Sequence, residues 1–116
     1  MKYLFVLLLI GCAHAQTAQI DYNTKPPADW PKLEERITYA DLPTTQRWCN
    51  LKTPVMGCAR LSFTYGLCMI YLSDRKPENL EHERAHCQGY GHVGNALGPT
   101  ESWEHFKKGY SGLYTP

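Results

Sequence analysis

His82, Glu83, His86, Gly89 and His92 fall within eleven consecutive residues, 82–92, of a chain of 116 residues with five histidines. Residues four apart on an α-helix lie on one face, one turn above the other, so His82 and His86 can present ring nitrogens to a single point. Glu83 is about 100° round the helix from His82. It cannot easily share that vertex, but it can reach a water held there. Gly89 suits a helix end, because a left-handed residue without Cβ lets the chain turn back. A chain that turns back there can return His92 as a third imidazole. Three imidazoles with a fourth position left to water form the open arrangement of a catalytic zinc, and a neighbouring carboxylate then serves as general base.

The pattern H-E-x-x-H-x-x-G-x-x-H resembles the metzincin zinc-binding signature. The resemblance covers these eleven residues out of 116. It implies a zincin metallopeptidase in which His82, His86 and His92 bind Zn, Glu83 activates the water and Gly89 makes the turn. The implied substrate is a peptide or protein, cut at a peptide or related amide bond. Two departures limit the match to the site. Metzincins place a methionine turn after the third histidine, whereas Met1, Met56 and Met69 all precede His92, and only 24 residues follow it. The alternative is a non-catalytic exported metal-binding or assembly protein, with or without a lipid, whose zinc site is degenerate or structural. A third reading is a disulfide-stapled module with no metal. Structural zinc sites are usually closed by four protein ligands, often Cys. Cys87 points about 100° away from the His86 ring and is better explained by a disulfide.

The chain opens with one positive charge, Lys2, before the apolar run Leu4 to Ile10, which is too short to span a bilayer as a helix. This reads as a signal peptide, 1–15, ending at Ala13-His14-Ala15. Leu9-Ile10-Gly11-Cys12 also resembles a bacterial lipobox, in which case the leader is 1–11 and Cys12 is the lipidated first residue of an outer-membrane lipoprotein. Under either reading the domain is exported, to the periplasm or beyond. Cys49, Cys58, Cys68 and Cys87 then form an even set in an oxidising compartment. Three pairings are possible, and the favoured one joins Cys49 to Cys58 and Cys68 to Cys87. Without Lys2 the remaining 11 basic residues balance 11 acidic ones. Nothing in that balance suggests a nucleic-acid partner. The membrane enters only through a lipidated Cys12.

The elements that must position the site follow from periodicity. Residues 16–32, with Pro26, Pro27 and Pro31, read as an extended tether whose Trp30 docks on the domain. The domain proper is expected over 33–116. Leu33 to Tyr39 alternates as a strand. Asp41 to Asn50 reads as a short helix capped by Asp41 or Thr44, with Trp48 on its buried side. Ala59 to Tyr65 alternates, with Leu61, Phe63 and Tyr65 on one face, and Leu67 to Leu72 is a continuous apolar run; together they predict a hairpin. Ser73 or Asp74 should cap the metal-site helix, with Pro77 in its first turn, and that helix should stop at Gly89. Thr100 should cap a last helix, Glu101 to Lys108, carrying Trp103 and Phe106 on one side, before a tail with little structure. The expected fold class is α+β: a small zincin-like domain with a short antiparallel sheet packed on the active-site helix, braced by two disulfides. Glu101, Glu104 and His105 are weaker candidates to support a ligand, and Tyr90, Tyr110 and Tyr114 to bond a reaction intermediate; surface or core roles account better for each. Asn79 is expected only to hold the helix start.

Overall fold

The computed structural model describes residues 18–50, 55–94, 99–109 and 114–115. The leader, Cys12 and Tyr110 lie outside them. The fold is α+β: β1 (Glu34–Tyr39), α1 (Leu42–Cys49), β2 (Gly57–Ser62), β3 (Leu67–Leu72), α2 (Pro77–Cys87), α3 (Pro99–Lys107) and β4 (Tyr114–Thr115). The strands form one sheet in the order β1-β3-β2-β4.

The β2–β3 hairpin is antiparallel, as the two apolar runs predict, with Leu61 opposite Cys68 and Ala59 opposite Ile70. β1, in contrast, runs parallel to β3, with Glu35 beside Cys68 and Ile37 beside Ile70, so the sheet is mixed rather than wholly antiparallel. The link through α1 carries the chain past one strand position, and β3 returns into the gap between β1 and β2. Parallel neighbours need such a crossover, whereas hairpin strands do not. β2 is also shorter than its alternation suggests. It stops at Ser62, and Phe63 to Gly66 form the turn, which leaves Tyr65 79% exposed rather than on the core face. The tail is not unstructured throughout, because Tyr114 and Thr115 pair with Arg60 and Ala59.

Side chains alternate between the two faces of a sheet. Cys68, Ile70, Leu72, Ala59 and Leu61 share one face and form the core with Leu33 and Cys87. Cys58, in register with Tyr71, lies on the other face. The two disulfides therefore staple helices to opposite sides of the sheet. Cys68–Cys87 ties β3 to α2, and Cys49–Cys58 ties α1 to β2. This is the favoured pairing, and it fits an oxidising compartment.

α1 begins where the Asp41 carboxylate accepts the Thr44 N–H at 2.8 Å. It ends at Asn50 in the left-handed region, φ 51°. Thr45 and Cys49, one turn apart, are its buried residues. Trp48 flanks them instead, 40% exposed, with its ring against Tyr71 at 5.2 Å. α3 starts two residues earlier than expected, at Pro99. Thr100 is therefore inside its first turn, and its hydroxyl donates to the Gly89 carbonyl. Trp103 and Phe106 do share one side, closing an aromatic cluster with Phe63.

Candidate metal centre

α2 carries the two histidines at helical spacing, and its ends explain why the site forms where it does. Pro77 occupies the first turn with Glu78 beside it, where the dipole favours an acid. The cap position is Lys76, not Ser73 or Asp74, and Lys76 makes no side-chain cap bond. Asp74 holds the entry from outside. It accepts from the Lys76 N–H at 3.0 Å and from Asn79 Nδ2 at 2.9 and 3.0 Å. Asn79 thus holds the helix start, as expected.

The other end is a Schellman turn. The Gly89 N–H donates to the His86 carbonyl and the Tyr90 N–H to the Ala85 carbonyl, both at 3.0 Å. Gly89 takes φ +99°, and a Cβ there would lie 2.8 Å from Pro26 Cβ and from the Trp30 ring. Glycine is required twice over, by conformation and by crowding. The reversal brings His92 back over α2. His86 Nε2 lies 3.0 Å from His92 Nε2, which lies 3.2 Å from His82 Nε2. A ligand atom from each of the three falls within 4.8 Å of the others. Nitrogens about 2.0–2.1 Å from a tetrahedral centre stand about 3.3 Å apart, so the spacing suits one ion of that size.

The chemistry of the rings agrees with their spacing. His86 is fully buried, and its Nδ1 lies 2.9 Å from the Tyr90 carbonyl oxygen. A carbonyl only accepts, so Nδ1 carries the proton and a neutral His86 turns the Nε2 lone pair toward the other two rings. Metal-binding histidines are usually oriented in this way, by a backbone carbonyl or carboxylate on the far nitrogen. His92 is 7% exposed and His82 half-buried, so the cluster opens on the His82 side. These three residues could hold a metal ion.

Glu83 is on the same helix but outside the converging set. It lies at i+3 from Leu80 and i−4 from Cys87, along the stripe that meets the core. It is 4% exposed, and its Oε1 has no hydrogen-bond partner. Burial raises its carboxyl well above the usual carboxylate range. Cys87 is sealed in its disulfide. Glu104 pairs with Lys107 at 3.0 Å. Among the described residues, neither Glu101, Glu104 nor His105 belongs to the ligand group. The Tyr90 ring packs on Tyr22 at 5.2 Å, and it is that residue's main-chain carbonyl that meets His86 Nδ1.

The docking of Trp30 was expected, but the parts played by Ile20 and Thr100 were missed by sequence reasoning. The segment expected as an extended tether crosses the site: Ile20 bridges to His92 in antiparallel fashion. Trp30 Nε1 donates to the Cys87 carbonyl at 3.0 Å, and the Thr100 hydroxyl donates to the Gly89 carbonyl at 2.9 Å. A single bridge has no periodicity to read, and Trp30 after a proline pair was the one visible signal. Comparison with models of protein families, with curated proteins and with solved structures finds no match to this chain. Among the described residues, no helix is long and apolar enough to cross a membrane.

Proposed function

We propose that His82, His86 and His92 hold a zinc ion and that the protein is an exported zinc-dependent hydrolase, a metallopeptidase of zincin type acting on peptide or related amide bonds. The observation that carries this reading is the convergence of three imidazole nitrogens 3.0 and 3.2 Å apart. Lone pairs gathered at that separation repel unless a cation or proton lies between them, and the Nδ1 of His86 is taken up by the Tyr90 carbonyl, which leaves its Nε2 as the nitrogen facing the cluster. When bound, the zinc supplies a polarised carbonyl and a water of lowered pKa. Glu83 would take the water proton and deliver it to the leaving amine. Its unpartnered Oε1 supports that role, because a buried carboxylate oxygen left without a donor in the resting protein is free to receive one.

A second reading has its own support. Glu83 lies along the core-facing stripe and outside the ligand group, as it would in a protein that holds zinc for structure or assembly without turnover. One variant separates the two. Glu83→Gln should keep zinc at one per chain and lose hydrolysis of a generic peptide mixture, because Glu83 is not a ligand. Equal turnover in the variant would remove Glu83 from the chemistry. Zinc binding with no turnover in the wild type would favour the assembly protein. Cys12 as a lipid anchor belongs to the same proposal and is tested by mass measurement of the processed chain.

A further inference from the structure

We propose that residues 19–22 form a strap that positions the third metal ligand, so that metal affinity is set in part by a segment some seventy residues before that ligand. This rests on the three-histidine metal site argued above.

His82 and His86 are fixed by α2, but His92 lies beyond the Schellman turn, between Gly91 and Gly94. Its main chain is held from the strap side on both flanks. The Val93 N–H donates to the Gln19 carbonyl at 2.8 Å, and the Asp21 N–H donates to the Gly91 carbonyl at 2.9 Å. Between them, Ile20 faces His92 across the bridge. The strap is anchored beyond its pairing. The Asp21 carboxylate accepts from the Asn23 N–H at 2.9 Å, the Thr24 N–H at 3.2 Å and the Thr24 hydroxyl at 2.7 Å, which turns the chain sharply. Further on, Trp30 fills the space over Gly89 and bonds the last turn of α2. Asp29 pairs with Lys107 on α3 at 3.0 Å. The strap thus grips the loop at 91–93, and the segment after it grips the helix end at 87–89. A ligand held in place before the ion arrives loses less freedom on binding, which strengthens the site without adding a contact to the metal.

Coupling of this kind is reciprocal: if the docked strap favours zinc, zinc must favour the docked strap by the same factor. The test uses the full processed chain, zinc as the probe, chelator competition for affinity and amide exchange for the strap. Asp21→Pro removes the N–H that bonds Gly91. Asp21→Asn keeps that N–H and the acceptor oxygen of the turn. Loss of an orienting partner commonly weakens a metal site about 10- to 100-fold. Asp21→Pro should fall in that range and Asp21→Asn should match the wild type. In the variant the Val93 amide should exchange faster, while the β3 amides stay as protected as before, which excludes general unfolding. Independently of any variant, adding zinc to the wild type should slow exchange at Asp21 and Val93. Unchanged affinity in Asp21→Pro, or zinc binding with no change at those two amides, overturns the strap and leaves the three-histidine site standing. Failure of the wild type to bind zinc overturns both.

Discussion

Glu83 and His86 sit three residues apart on one helix, both buried, and their environments ask for opposite things. His86 has its far nitrogen against the Tyr90 carbonyl and its near one 3.0 Å from His92 Nε2, so its burial leaves neither ring nitrogen without a neighbour. Glu83 has a buried oxygen with nothing to receive. A buried polar group without a partner costs about 1–3 kcal/mol. Glu83→Leu, of similar size, should therefore be more stable than the wild type by about that amount, with a melting temperature raised roughly 4–8 °C per kcal/mol. A lower melting temperature would mean that the carboxylate holds the core together. Such a gain would mark stability given up for function, common where a polar group is kept for chemistry. At this scale the sequence was most legible. Chemically distinctive residues at helical spacing announce themselves, and the three histidines and the turn glycine do converge. What could not be read was the role of the Tyr90 carbonyl, because main-chain oxygens look alike in every sequence.

Among the elements, the end of α2 decides most. Its Schellman turn, the return of His92 and the seat of Trp30 all depend on Gly89. Gly89→Ala would force a side chain into the left-handed region and against Pro26 and Trp30. A residue held in such backbone costs about 1–3 kcal/mol. Thermal unfolding should show that loss, and zinc occupancy should fall with it, because the turn and the third ligand are one structure. A variant that kept full occupancy would separate them. The hairpin and α2 were readable from their periodicity and stop signals. Errors gathered where those signals are local and the outcome is not. Tyr65 fits a strand alternation but lies in the turn. Thr100 has cap chemistry but spends its hydroxyl on Gly89. Trp48 was expected on the buried side, yet Thr45 and Cys49 take the inner face of α1.

Across the whole molecule, the sheet lies between α1 and α2, each bonded to it by its own disulfide. Removing either bond frees the unfolded chain, and bonds closing loops of this size contribute about 3 kcal/mol. Their effects on the site should differ. Replacing Cys68 and Cys87 together by Ala should lower both stability and zinc affinity, because Cys87 adjoins His86. Replacing Cys49 and Cys58 should lower stability and leave zinc affinity unchanged, since α1 is on the far face. Equal losses of affinity in the two proteins would mean that the domain answers as a single unit. The favoured pairing was legible, because one bond closes a small loop and the other staples a strand to the metal-site helix, but the mixed sheet was not, because the direction in which an edge strand joins depends on a crossover that has no sequence signature.

The pairing of Gln19 with Val93 closes a loop of 74 residues. Contacts that distant form late, after the chain between them has been made and has collapsed. While the polypeptide is still being synthesised, the first partner waits alone and the second does not yet exist. If the three histidines take up a metal as proposed, that loading would belong to the finished molecule, in whichever compartment it completes its folding, and not to the growing chain.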